Sequence, residues 1–278
     1  MSVSIVTRSI WGNSGNTGKR VRKTLSAMVW QLQKRTIRAS RILRLPNGVL
    51  FRAYPDCVVS SALIYADWPE YHELMFLRKR LQHDQVLIDV GANVGHISLL
   101  LADVVGADNI FAIEPTPVSF RRLVENWRLN RWGIEGLFHA AAGAERGGVF
   151  VRDVDSPVTT NAVASTPFDG SFAEVPLVRL DDLRHLWERR SLGLLKIDVE
   201  GYEHEVFRGS WQVLQRDRPD VIMFESLSGT LEHEIAALMA DCKYVVFHLD
   251  LRGMPDFTEH SAQNLFAVPF ERRGNLES

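Results

Sequence analysis

From residue 86 onward the chain repeats one pattern: a short apolar run, a loop carrying glycine or an acid, then a helical stretch. Runs that are apolar at every position suit strands buried on both faces, and apolar residues three and four apart suit helices packed on such a sheet. The pattern predicts strands at 86–90, 109–114, 137–141, 194–199 and 221–225, and two more at 244–249 and 264–268. Alternating β and α units build a parallel sheet. The expected fold class is therefore a doubly wound α/β domain: a seven-stranded, mostly parallel sheet with helices on both faces.

Ahead of residue 83 the pattern changes. Residues 1–18 are rich in Ser, Asn and Gly and are expected to be disordered or loosely attached. They hold no phosphate loop, because Asn13 stands at the first-glycine position and Arg20 replaces the hydroxyl residue. From Lys19 to about Leu45, Val21, Leu25, Met28, Val29 and Leu32 follow helical spacing with Arg and Lys between them. This predicts a basic amphipathic helix docked on the domain with its charges solvated. Attachment to an anionic membrane or a lipid-linked substrate is the alternative, and an acid-free, Arg- and Ser-rich arm also leaves an organelle transit peptide open.

Pro46-Asn47-Gly48 is a turn signal, residues 49–54 beside Val58-Val59 predict a small hairpin or cap, and 70–81 predict a helix. The chain then divides into a basic extension (1–45), a cap segment (46–82), a catalytic domain (83–270) and a tail (271–278). Between 147 and 175 the alternation breaks. That whole stretch, which includes 156–161 and 165–167 and has no helical period, predicts a strand or hairpin followed by a polar loop over the carboxyl edge of the sheet.

Composition narrows the class. With 46% hydrophobic and 24% charged residues the chain is ordinary for a globular protein, and no apolar run approaches the ~20 residues that span a bilayer. The net charge of -2 conceals an asymmetry: residues 1–45 carry ten Lys or Arg and no acid, so a basic arm sits on an acidic body. An acidic body makes nucleic acid a poor partner. Cys57 and Cys242 lie far apart with no zinc or disulfide spacing, which fits a reducing, cytoplasmic setting, peripheral to a membrane if the basic helix attaches there.

Candidate chemistry concentrates at three strand ends. The run from Val86 to Asp89-Val90-Gly91-Ala92-Asn93-Val94-Gly95-His96 is a strand ending in an acid, a glycine turn and a helix start, the place where open α/β sheets take ligands. A dinucleotide would want G-x-G-x-x-G for its pyrophosphate. That spacing is absent, and Asp89 would repel a diphosphate. S-adenosylmethionine has no phosphate and carries a sulfonium and an ammonium, so Asp89, Gly91, Ala92, Asn93, Gly95 and His96 are the expected donor-binding turn. Glu114, about 20 residues past the glycine turn and followed by Pro115, is placed to reach ribose hydroxyls, and Ala142 belongs to a small-residue stretch that leaves room for adenine. Lys196-Ile197-Asp198-Val199-Glu200-Gly201-Tyr202-Glu203-His204 gathers ionisable groups at the mouth of the sheet, with Glu225 at the end of the next strand. Asp198 and Glu200 are the expected catalytic groups, and His204 and Glu225 the second candidates. Such a cluster can deprotonate or orient an alcohol or, through Asp198 and a neighbouring carboxylate, hold a divalent metal.

Together with Ile113-Glu114-Pro115 and Val178-Arg179-Leu180-Asp181-Asp182-Leu183, these blocks make residues 68–225 resemble the FkbM family of S-adenosylmethionine-dependent methyltransferases. His96 stands where an aromatic residue is more usual. The resemblance implies the class I methyltransferase Rossmann-like fold, the methyl donor, and a hydroxyl acceptor on a sugar, glycan or natural product. A nucleic-acid or protein methyltransferase, and a noncatalytic donor-binding protein, are the alternatives.

Overall fold

The central strands divide their side chains between two cores. Leu87, Ile110, Ala112, Leu194, Met223 and Phe266 enter one, while Val86, Ile88, Phe111, Leu195, Ile222 and Leu265 enter the other. Successive residues of a strand point to opposite faces, so a run apolar at every position forms only where both faces are covered. The computed structural model describes residues 3–152, 163–164, 172–258 and 262–276.

In chain order the elements are α1 (Val3–Trp11), α2 (Arg20–Thr36), β1 (Arg41–Arg44), β2 (Leu50–Ala53), α3 (Val58–Tyr65), α4 (Tyr71–Arg80), β3 (Val86–Val90), α5 (His96–Val105), β4 (Ile110–Ile113), α6 (Pro117–Leu129) and β5 (Leu137–Phe138). They continue with β6 (Ala141–Ala142), β7 (Gly147–Arg152), β8 (Val163–Ala164), β9 (Phe172–Val178), α7 (Leu180–Leu183), β10 (Leu192–Ile197), α8 (Glu203–Arg208), β11 (Val221–Glu225), α9 (His233–Asp241), β12 (Tyr244–Leu249), β13 (Pro255–Asp256) and β14 (Asn264–Pro269). The main sheet runs β13-β12-β14-β11-β10-β3-β4-β5. Pairing is parallel from β11 to β5, and β14 lies antiparallel between β11 and β12. Seven strands are the predicted ones, and two-residue β13 is added beside the end of β12. The chain goes from β3 to β4 and β5 on one side and returns to β10 and β11 on the other. Strand order therefore reverses between β3 and β10, and a ligand crevice is expected there.

Three expectations are corrected and a fourth is met in part. The stretch 137–141 is two short strands in different sheets, because Ala141-Ala142 leaves β5 and pairs with β9 in a side sheet ordered β6-β9-β7-β8. The hairpin partner of β2 is β1, whereas Val58 opens a helix. Of the 147–175 segment, β7 and β9 form an antiparallel pair; 153–162 and 165–171, with the predicted polar loop, lie outside the described residues. Finally, residues 3–18 are not loose: Ile10 is buried, and buried Asn16 donates to the carbonyls of Ile10 (3.0 Å) and Tyr65 (2.9 Å).

The predicted amphipathic helix ends at Thr36, and its stripe points the other way. Val21, Leu25, Met28, Val29 and Leu32 are between 58% and 69% exposed, while Lys23, Ala27 and Trp30 pack inward. The inward face wins because its groups find partners: Trp30 Nε1 donates to Ser61 Oγ at 3.1 Å, and Lys23 pairs with Asp67 at 2.5 Å. Spacing alone cannot report such partners. Among the described residues no helix is long and apolar enough to cross a membrane.

The cap is tied to the sheet by two asparagines one helical turn apart, Asn126 on α6 and Asn130 at its C-terminal cap. Buried Asn126 accepts from Arg52 N (2.8 Å) and donates to Val94 O (3.0 Å), and Asn130 bonds both backbone groups of Leu50 at 2.8 Å. The edge of β2 is thus satisfied by side chains instead of a further strand, and the glycine turn at Val94 is held from behind.

Candidate active site

β3 ends at a turn that demands glycine. Gly91 has φ +74°, and a Cβ there would stand 1.8 Å from the Asp198 carbonyl oxygen. The loops after β3 and β10 therefore touch backbone to backbone, and only a residue without a side chain permits it. Asn93 (φ 52°) and Glu200 (φ 55°) also adopt left-handed conformations, so both loops carry local strain where they meet.

These turns line one cleft of about 320 Å³ at the carboxyl edge of β3, β4, β10 and β11, within the size range of small-ligand sites. On the β4 side, buried Glu114 accepts from Asn93 N and Thr116 N, both at 2.8 Å, one on each oxygen. Burial raises its pKa, and those two backbone donors work against the rise. Each oxygen keeps a second lone pair for a ligand hydroxyl. Pro115 and Ala140, Ala141 and Ala142 continue that wall.

On the opposite side Asp198, Glu200 and Glu225 converge, with one carboxylate oxygen of each lying within 4.8 Å of the others. Their protonation is pulled apart. Burial works to raise Asp198, but Lys196 and a hydrogen bond with Glu225 together outweigh it and hold the carboxyl below its ordinary value. Glu225 is pushed up to about 7, first by burial and then by the Asp198 charge. Its Oε1 accepts from Gln263 at 2.7 Å, and its carboxyl, when protonated, hydrogen-bonds Asp198. Glu200 is raised by burial and then by Asp198. Three oxygens so placed can accept a proton, orient a hydroxyl or coordinate a hard cation.

The structure brings Gly91, Asn93, His96, Glu114, Pro115, Ala142, Asp198, Glu200 and Glu225 to the cleft wall. Four predicted residues fall elsewhere. Asp89 is fully buried, and its charge is committed: Oδ1 lies 3.0 Å from Lys196 Nζ, and Oδ2 accepts from Ser98 Oγ at 2.7 Å. It sits beneath the turn and does not line the cleft. Ala92 is buried as part of the turn, and a Cβ on Gly95 would meet Leu123 at 2.5 Å, so both act in packing. His204 points away, 3.7 Å from Glu205. His96 does reach the cleft as a neutral ring: burial, then Lys196, lowers it to about 4, and its Nδ1 is buried without a partner.

Three residues were missed. Lys196 is the buried cation of the site; its Nζ also donates to Gly91 O at 2.9 Å and stands 3.5 Å from Asp198. A lysine inside an otherwise apolar strand was its visible signal. Glu70, at the start of α4 with φ 50°, enters the cleft from the cap. It keeps contact with water along the cleft, yet crowding around its carboxyl and then Glu73 push it up to about 7. Tyr202 lines the wall beside Gly143. No local sequence signal distinguishes Glu70, whereas Tyr202 stands inside the 196–204 block.

The description Methyltransferase FkbM domain matches residues 89–246, more than half of the 278-residue chain. The chain is 26% identical over 195 residues to the hexuronic acid methyltransferase AglP of Haloferax volcanii, covering 70% of this chain and 78% of that protein. It is 28% identical over 239 residues to the 31-O-demethyl-FK506 methyltransferase FkbM of Streptomyces tacrolimicus, covering 70% and 86%. A crystal structure of methyltransferase FkbM from Methylobacillus flagellatus KT shares 13% identity over 91% of this chain and 61% of that one, with a TM-score of 0.42, too low to add to the assignment. The matched span contains the glycine turn, Glu114 and all three converging carboxylates. On that match the chain belongs to the FkbM methyltransferase family and is an S-adenosylmethionine-dependent methyltransferase.

Proposed function

We propose that the chain O-methylates a hydroxyl of a sugar, glycan or natural product, with the donor between Gly91 and Glu114 and the acceptor over Asp198, Glu200 and Glu225. The observation that carries this reading is the convergence of those three carboxylates in the same cleft as the donor turn. The relatives named for a hexuronic acid and for 31-O-demethyl-FK506 support an oxygen acceptor of this kind.

When bound, the sulfonium of S-adenosylmethionine supplies an electrophilic methyl carbon. The protein's tasks are alignment and removal of one proton. Glu114 binds the ribose hydroxyls through its free lone pairs, and the small side chains of Ala140 and Ala142 leave room for the adenine. Asp198, held ionised by Lys196, accepts the acceptor's hydroxyl proton as the oxygen bonds to the methyl carbon and the carbon–sulfur bond breaks, leaving S-adenosylhomocysteine. An alkyl alcohol is a very weak acid, so that proton moves late. Glu200 and Glu225 accept hydrogen bonds from neighbouring hydroxyls and fix the acceptor's orientation.

The same three oxygens are a donor set that Mg²⁺ takes, and a metal there would lower the acceptor's pKa. Turnover that EDTA removes and Mg²⁺ restores would assign it. The test of the main reading is formation of S-adenosylhomocysteine with uronic acids, glycosides and hydroxylated macrolides as acceptors. Turnover with one class, lost in Asp198→Asn while donor binding persists, is the expected result. Donor binding without turnover on any hydroxyl, with turnover on an amine, would overturn the oxygen assignment.

A further inference from the structure

The N-terminal helices expose what the rest of the molecule hides. Val21, Leu25, Met28, Val29 and Leu32 recur at i, i+4, i+7, i+8 and i+11 and form one stripe along α2, each more than half exposed. Trp11, Ile37 and Ile42 are exposed in the same N-terminal region. A groove of about 340 Å³ lies between α1 and α2, lined by Val6, Ile10, Ala27, Met28 and Leu32, with Arg35 among its walls. Apolar surface concentrated in this way marks a docking face.

Charge identifies the partner. Residues 1–45 hold ten Lys or Arg and no acid. Asp67 pairs with Lys19, Arg22 and Lys23, whereas Arg8, Arg35, Arg38, Arg41 and Arg44 make no ion pair among the described residues. A second copy on the same face would bring two such sets of arginines together. An anionic lipid surface neutralises them while taking the apolar stripe between its head groups.

We propose that the face formed by α1, α2 and the exposed arginines that follow docks the protein peripherally on anionic phospholipid bilayers. The assignment is independent of the acceptor reading. The test is cosedimentation of the full chain with vesicles of phosphatidylcholine alone or mixed with phosphatidylglycerol. Two variants accompany it, Leu25→Gln/Met28→Gln/Leu32→Gln and Arg35→Gln/Arg38→Gln, all at surface positions. Urea unfolding and S-adenosylmethionine titration, both expected unchanged, report that the variants fold.

Binding should require the anionic lipid, fall with added salt, and weaken at least about tenfold in each variant. Equal binding to neutral vesicles, or variants that bind like the parent, would overturn the proposal. So would absence of vesicle binding, whether the protein is a monomer or a dimer. A dimer that the triple variant dissociates would assign the face to a second copy.

Discussion

Lys196 and Asp89 are register partners on neighbouring parallel strands, and their side chains meet 3.0 Å apart in a place almost closed to water. The same ammonium bonds the Gly91 carbonyl and stands 3.5 Å from Asp198, so one cation joins the glycine turn after β3 to the carboxylate cluster. Burial disfavours its charge, but Asp89 and then Asp198 outweigh burial and keep its pKa above the ordinary value.

Removing one partner of such a pair strands the other. Lys196→Met should lower stability by ~3–5 kcal/mol in urea unfolding, because Asp89 is left buried and uncompensated. Lys196→Met/Asp89→Leu should recover much of that loss, since an apolar pair has no charge to bury. A single variant as stable as the parent would contradict the pairing.

Glu114→Gln should weaken S-adenosylmethionine binding about tenfold to a hundredfold in calorimetry, the loss of charge-assisted hydrogen bonds worth ~1.5–3 kcal/mol. Part of that loss has a local origin, because an amide nitrogen cannot accept from Asn93 N or Thr116 N as a carboxylate oxygen does. Near-UV circular dichroism separates a disturbed turn from a lost ligand contact.

Gly91→Ala should cost at least ~2 kcal/mol, since it combines an unfavourable φ with a main-chain clash. Gly147→Ala, where a Cβ meets nothing within 4 Å and φ is not positive, serves as the neutral control.

Stability should depend on pH through Glu225. Its folded pKa of about 7 lies above that of an unfolded glutamate, so between the two values the folded state holds a proton that the unfolded state has lost. The stabilising proton is fully present below the unfolded value and is lost as pH rises through about 7. The melting temperature in EDTA buffer should therefore decline from pH 5 to 8, and Glu225→Gln should flatten the decline. Glu70 adds in the same direction, less strongly because it keeps solvent contact.

His204→Ala should leave turnover within about twofold, because the ring points toward Glu205 and away from the cleft. Asp198→Asn should reduce turnover by about a hundredfold or more under saturating donor. Equal losses in the two would require His204 to enter the cleft in the working enzyme.

Much of the sheet was legible because a doubly covered strand is almost wholly apolar, as 86–90 and 221–225 are apart from Asp89 and Glu225, and both strands keep those limits in the structure. The stretch 137–141 misled for a related reason: apolar character marks burial, and Leu137 and Ala141 are both buried although in different sheets. At α2 the spacing predicts the apolar stripe but not its direction, which is outward. Its spacing is a property of the helix, whereas its direction depends on Ser61 and Asp67, which lie on other elements.

By itself the sequence determined the α/β plan, the glycine turn after β3 and the acids at the strand ends, since each follows from side-chain periodicity or backbone conformation within a few residues. Only the tertiary structure decided that Asp89 belongs to Lys196, that Glu225 joins Asp198 and Glu200, and that Glu70 reaches the cleft from the cap. Those relations depend on register and on the packing of segments far apart in the chain. Charge acts through space, so neighbours in the fold, not in the sequence, set which carboxylate is neutralised and which keeps its proton.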